Sequence, residues 1–214
     1  MVAAEKFWNG IADKYSGLAI PDPEAYEATL ARVRPWLNTT DSLLELGCGT
    51  GTTALKLAGC VGRITASDIA GEMVRIGADK ARNAGIETIE FARGGIADMA
   101  ARGEQYDVVT AFNLLHLLDD LPGALADIHA MVRPGGLFIS KTFCRPGPGQ
   151  SSLQYRAMRI LVPAMQLVGK APFVAFMPIP ELEAAIRAAG FEVLETGNYP
   201  ERPPRRLIVA RKPG

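Results

Sequence analysis

The chain is poor in cysteine, in net charge and in uninterrupted apolar runs, and each shortage removes a class of function. Its 214 residues contain Cys48, Cys60 and Cys144 and no other cysteine. An odd number without a C-x-x-C pair supplies neither a disulfide framework nor a metal site, and it fits a reducing compartment. Lysine and arginine together number 23, as do aspartate and glutamate, so no basic field marks nucleic acid as the main partner. The opening stretch MVAAEKFWNGIADKYSG mixes charges with apolar residues at helical spacing and has no apolar signal core, which makes the cytoplasm the expected location. Residues 150–180 are strongly apolar, but Arg156, Arg159 and Lys170 interrupt them and Pro163, Pro172 and Pro178 break them, so a bilayer span is not expected. There is no internal repeat and no low-complexity tract. With 48% of residues apolar, a chain of this length buries one good core, which predicts one domain.

What is present is alternation. Glu5–Tyr15 and Pro23–Trp36 read as amphipathic helices, with Pro35 near the end of the second. SLLEL is then a short strand running into a glycine turn, and TTALKLA continues from that turn with helix formers. RITASDI, IETIEFARG, YDVVTAFN and LFISKTF follow as strands, separated by the helices GEMVRIGADKARNAG and LPGALADIHAMVRPGG and by one polar segment. Gly85 stands as the stop of the first of these helices, and Pro134 with two glycines as the stop of the second. Such alternation predicts an α/β fold: a doubly wound parallel sheet with helices on both faces. The tail differs, because FEVLETGNY and RRLIVARK are joined by a short proline-rich loop and should pair as an antiparallel hairpin.

The turn after SLLEL carries Gly47, Gly49 and Gly51. In a doubly wound sheet it lies at the carboxyl edge, where a ligand can touch backbone and unpaired helix N–H groups. A dinucleotide loop reads G-x-G-x-x-G, but here the spacing is G-x-G-x-G, with Thr52 at the position of the third dinucleotide glycine. Glu45, just before the turn, would repel a pyrophosphate and suits a cation. Asp68 closes the second strand about twenty residues on, at the distance where such folds set an acid on ribose hydroxyls. A cationic adenosine without a pyrophosphate is S-adenosylmethionine.

These segments resemble the class I S-adenosylmethionine-dependent methyltransferases, in particular the small-molecule branch with the ubiquinone and menaquinone biosynthesis enzymes. ELGCGTG is similar to that family's first motif, ASDIA to its second, YDVVTAFNLLHLLDD to its fourth-strand segment and MVRPGGLFI to the turn before its fifth strand. The likeness runs from about FWNGIADKY to the final hairpin. It implies a Rossmann-like seven-stranded sheet of order 3-2-1-4-5-7-6 with strand 7 antiparallel. It also implies methyl transfer by in-line displacement to a small, lipophilic acceptor.

The cofactor site that this resemblance implies comprises Tyr15, Glu45, Gly47, Cys48, Gly49, Asp68, Ile69, Met73, Gly95, Ile96, Asn113 and Leu114, with no metal. Tyr15 is expected to close over the methionine part, with Ile69 and Met73 along the adenine. Where the family has Gly-Asp-Ala after its third strand, this chain reads Gly94, Gly95, Ile96, so the acid that meets the adenine amino group is missing and Asp98 is the nearest carboxylate. His116 follows the fourth strand and reads either as a base for methyl transfer or as a structural histidine. His129 reads as a surface residue. Expected subdivisions are 1–37 as a helical cap, 38–144 as the cofactor core, 145–180 as a lid and 181–214 as the final helix and hairpin. The 150–180 stretch is either a packed cap, a homodimer face, or an apolar lid that meets a membrane surface. Two other readings stay open: a non-catalytic S-adenosylmethionine sensor, and an NAD-dependent oxidoreductase, which the loop spacing and Glu45 oppose.

Overall fold

The computed structural model of the chain describes residues 2–147, 153–167 and 171–214. Its centre is β1 (Ser42–Leu46), buried along its whole length, as expected of a parallel strand covered on both faces. Around it β2 (Arg63–Asp68), β3 (Ile89–Arg93), β4 (Tyr106–Phe112), β5 (Val132–Phe143), β6 (Glu192–Asn198) and β7 (Arg205–Arg211) form a seven-stranded sheet of order β3-β2-β1-β4-β5-β7-β6. The first five strands run parallel, while β7 is antiparallel to both β5 and β6. The strand order reverses between β1 and β4, so the crevice at their carboxyl ends is where a ligand belongs.

On one face lie α2 (Pro23–Val33), α3 (Thr52–Leu57) and α4 (Gly71–Asn83), with Leu30, Val33, Ala54 and Leu57 packed on Leu43, Ile139, Leu207 and Val209. The other face carries α5 (Ile96–Ala100), α6 (Leu121–Met131) and α8 (Ile179–Ala188), which bury Met99, Leu125, Ile128, Leu182 and Ile186 against Leu44, Val109 and Phe138. The first helix, α1 (Val2–Ser16), rides on α4 through Trp8, Ile11, Ala12, Met73 and Ile76. Glu5 on α1 pairs with Arg93 at the end of β3, and the Asn9 side chain accepts from the Glu72 N–H. These contacts fix where α1 ends, and with it the position of Tyr15.

Asp22 caps α2 by accepting from the Ala25 N–H at 2.9 Å, and Arg32 and Trp36 both donate to Glu195 on β6. The cap helix is thereby tied across the hairpin. α7 (Leu153–Leu167) contains Pro163 and leaves Ile160 and Leu161 exposed. Among the described residues no helix is long and apolar enough to cross a membrane.

Four local expectations change. α2 stops at Val33, and Pro35 sits in a short 3-10 turn, Arg34–Trp36, rather than in the helix. The polar segment before β4 contains α5, whose first turn is capped by Asp98 accepting from Gly95 N–H at 2.8 Å. The Pro134-Gly135-Gly136 turn belongs to β5: α6 ends at Met131, and the chain beyond β7 pairs with both glycines through Gly135 N–H to Lys212 O and Lys212 N–H to Gly136 O, each 2.9 Å. His129 is also not a free surface residue, because its ring packs edge-on against Phe191 at 4.9 Å.

Gly51 shows how closely the loop is fitted. Its φ is +74°, and a Cβ there would lie 2.7 Å from the Phe91 ring. Gly51→Ala should therefore cost about 2–4 kcal/mol from left-handed strain plus overpacking. Chemical denaturation checks this, and an unchanged midpoint would contradict the fit.

Candidate active site

The glycine loop is held by hydrogen bonds that leave its outer side open. Gly47, Gly49 and Gly51 all have positive φ, at 65°, 53° and 74°. Cys48 N–H donates to Ser67 O at 2.9 Å, and Gly51 N–H donates to Cys48 O at 3.0 Å. The Asp68 carboxylate accepts from Gly49 N–H through Oδ2 and from Ala70 N–H through Oδ1, both at 2.9 Å. One side chain thus ties the loop after β1 to the start of α4. Each carboxylate oxygen retains a second lone pair, which leaves Asp68 able to accept from a ligand hydroxyl. Two side chains flank the loop: Tyr15 lies 3.8 Å from where a Gly49 Cβ would be, and Leu114 lies 2.8 Å from that of Gly47.

Beneath the loop the acids are desolvated. Glu45 is buried, and its Oε2 has no hydrogen-bond partner. Burial pushes its carboxyl from the ordinary 4.5 to about 8; the Ala54 N–H opposes the rise and the Asp68 charge adds to it. Burial likewise raises Asp68, against the N–H groups of Ala70 and Gly49. The Cys48 thiol, also buried, is held well above its usual range by desolvation and by the two acids. A cation placed over this loop would meet two carboxyl groups whose charged forms lack a positive neighbour.

On the β2–β3 side, Gly94 N–H donates to Asp68 O at 2.9 Å, which draws Gly95 and Ile96 alongside Ile69. A Cβ at Gly95 would come within 3.0 Å of Ile69 Cγ2, so that isoleucine fills the space a side chain at 95 would need. On the β4–β5 side, Asn113 adopts φ 55° and donates its N–H to Lys141 O at 2.6 Å. His116 lies in the short turn Leu115–Leu117, with its ring 6.0 Å from that of Phe143. Its Nδ1 is buried without a partner, and burial together with Arg205 lowers the imidazole to about 4.

The family described as a methyltransferase domain matches residues 20–196, well over half of the chain. The chain belongs to the class I methyltransferase family. Among its relatives, the ubiquinone biosynthesis O-methyltransferase of Methylobacterium nodulans is 29% identical over 160 residues, covering 72% of this chain and 61% of the relative. The chain therefore spans about three-fifths of that protein's length. Two solved structures show the same fold. The [4+2]-cyclase SpnF has a TM-score of 0.78 at 17% identity, covering 98% of this chain and 96% of its own. A DhpI–SAH complex has a TM-score of 0.74 at 22% identity, covering 100% of this chain and 96% of the other.

In this chain the structure gathers Tyr15, Glu45, Gly47, Gly49, Asp68, Ile69, Gly95, Ile96, Asn113 and Leu114 around the carboxyl edge of β1, β2 and β4. Met73 is not among them, because it is sealed at 2% exposure between α1 and α4. Cys48 contributes only backbone that the loop already uses, with its thiol in the core. Asp98 is exposed and its Oδ2 caps the Gly95 N–H. His116 is placed at the cleft, but a group lowered to about 4 is uncharged at neutral pH and a weak proton acceptor. Of the 150–180 stretch, 150–152 and 168–170 lie outside the described residues, as do 148 and 149.

Sequence reasoning missed Lys141 and Arg205. Lys141 is buried on β5 and donates to Thr29 Oγ1 at 2.6 Å, and the field of Arg205 on β7 reaches it, Tyr15 and His116 together. The available signal was the lysine inside the apolar strand LFISKTF.

The state of Glu45 gives a pH test. Its folded pKa lies above its unfolded value, so its contribution to stability is full below about pH 4.5 and is lost as pH rises through 8. Between those limits the ligand-free protein should lose about 1.4 kcal/mol per pH unit through this group. Glu45→Gln should flatten that slope. Parallel slopes for the two proteins in urea titrations at several pH values would contradict the assignment.

Proposed function

We propose that this protein transfers the methyl group of S-adenosylmethionine to a small, lipophilic acceptor. The observation that carries the reading is Glu45, a buried carboxyl with one oxygen, Oε2, left without a hydrogen-bond partner, beneath a glycine loop anchored by Asp68. That pair favours a cationic adenosine and disfavours a dinucleotide pyrophosphate. The relatives named for quinone O-methylation and the neighbour solved with SAH support it.

The residues present fit that cofactor. Asp68 would accept from ribose hydroxyls, Ile69 and Ile96 would cover the adenine, Glu45 and the loop would face the positively charged end, and Tyr15 would close over it. The cofactor, when bound, supplies an electrophilic methyl on a sulfonium and leaves as a neutral thioether. The protein supplies alignment and water exclusion, with Tyr15 and Leu114 flanking the loop. With His116 lowered to about 4, proton removal from a hydroxyl acceptor does not rest on this imidazole. Exposed Ile160, Leu161, Met165 and Phe173 support a lipophilic acceptor reached through this segment, with transient membrane-surface contact or a homodimer as its other uses. A cytoplasmic location accords with these roles.

A second reading is favoured by Gly95: a protein that holds the cofactor as a sensor or scaffold without methyl transfer. The fold itself does not choose between them, since the neighbour SpnF is named as a cyclase.

Calorimetry with S-adenosylhomocysteine and with NAD tests the cofactor. The thioether should bind and NAD should not; the reverse would sink the reading. Asp68→Ala should weaken thioether binding by about 1.5–3 kcal/mol, the range for a hydrogen bond to a charged group, and unchanged affinity would remove the ribose role. Transfer of labelled methyl to isoprenoid phenols or phospholipids then separates enzyme from sensor.

A further inference from the structure

We propose that Lys141 and Arg205 form an oxyanion pocket, and that the acceptor carries a carboxylate on a flat apolar body. The identity of the bound acid as the acceptor rests on the methyl-transfer reading above; the pocket itself does not.

The sheet register places the two cations together. Lys141 on β5 lies opposite Leu207, and Phe143 lies opposite Arg205. Ile139, Leu207 and Val209 pack on the α2 face, so alternation puts Lys141, Phe143 and Arg205 on that face too. Lys141 and Arg205 are diagonal neighbours across the pair, with backbones about 7–8 Å apart. α2 covers the lysine through Thr29, whose neutral hydroxyl accepts from the Lys141 ammonium.

No described carboxylate neutralises either group. Neither Lys141 nor Arg205 makes an ion pair among the described residues, and the Arg205 guanidinium makes no side-chain hydrogen bond there. The adjacent Arg206 is a contrast, since it binds Glu183 at 2.6 Å and also donates to Thr196 and Asn198. The acid whose field reaches Lys141 is Asp22, and its carboxylate caps α2. Two like charges, one buried and one half-buried, repel and lose solvation without a counter-ion. Lys141 is drawn down to about 8 by burial and then by Arg205, yet it remains mostly cationic at neutral pH. A bound anion supplies the missing charge to both.

The body of that anion is set by the rings beside Arg205. Phe143 lies 6.0 Å from His116, 6.2 Å from Tyr155 and 6.4 Å from Phe176 between ring centroids. Phe143 and Tyr155 are buried, so the flat apolar surface beside the two cations comes from the half-buried His116 and Phe176 rings packed on Phe143, which suits an aryl or conjugated acid.

A carboxylate at this place has two sources, the cofactor's own amino-acid end and the acceptor. Strand order sets Arg205 toward the acceptor side, and because its field also reaches Tyr15 the cofactor's own carboxylate is the alternative that the test separates. Arg205 is on β7, three strand spacings or about 14 Å from β1, and Asp68 on β2 is a spacing further.

The test uses the full chain saturated with S-adenosylhomocysteine, with benzoate and uncharged benzamide as probes, read by calorimetry and ligand-observed NMR. Benzoate should bind at least tenfold more tightly than benzamide. Arg205→Gln and, separately, Lys141→Met should each abolish that preference while leaving thioether affinity within twofold. Arg205→Lys should restore part of it. Equal or undetectable binding of both probes to the wild-type protein overturns the proposal without any variant, and so does a preference that survives Arg205→Gln. A tenfold loss of thioether affinity in Arg205→Gln also overturns it, because the cation would then serve the cofactor's carboxylate. If the wild-type protein fails to bind the thioether, the cofactor reading fails instead, and the same probe comparison on the ligand-free protein still judges the pocket.

Discussion

The Asp68 carboxylate holds two turns at once, and most of what surrounds the cleft depends on that. By accepting from Gly49 and Ala70 it fixes the loop after β1 against the start of α4. It also helps to keep Glu45 protonated, because two carboxyl charges this close to each other and away from water cannot both be ionised cheaply. The arrangement is strained electrostatically and relaxed mechanically. It stores no backbone distortion beyond the glycines that allow it, yet it leaves buried acid that a cation would stabilise.

Charge is distributed along the carboxyl edge of the sheet with opposite signs at its two ends. Glu45 and Asp68 lie at β1 and β2, whereas Lys141 and Arg205 lie at β5 and β7. Burial raises the Tyr15 phenol, and both ends act on it, since Arg205 opposes the rise and Asp68 adds to it. The N-terminal helices make this possible: α1 brings Tyr15 over the loop, and α2 brings Thr29 over Lys141. A cleft so polarised suits a positively charged methyl donor at one end and, as proposed above, an acid at the other.

The fold was readable because its elements state themselves locally. SLLEL, RITASDI and YDVVTAFN are short β-rich runs, and Gly85 at φ 65° ends α4 where a glycine was expected to. The antiparallel tail followed from the length of one loop. The turn at Pro134 was misread because its pairing partner, Lys212, is far away in sequence. The same reason explains the site. The acids and glycines lie within one βαβ unit and were legible, while Lys141 and Arg205 are brought together only by a register between distant strands. The family resemblance implies Met73 as a cofactor contact, but helical phase turns it toward α1. His116 was legible in position and not in chemistry, because its proton affinity depends on burial and on Arg205.

Cofactor choice at this site depends on whether the buried acid under the glycine loop meets the positive end of an adenosine ligand. The direct measurement is the number of protons exchanged when S-adenosylhomocysteine binds at pH 7, obtained by calorimetry in buffers of different ionisation heat. A carboxyl held near 8 is mostly protonated at that pH, and a ligand ammonium beside it favours its charged form. The account predicts release of most of one proton per ligand, and no release in Glu45→Gln. Binding with no proton release, or with the same release in both proteins, would contradict it.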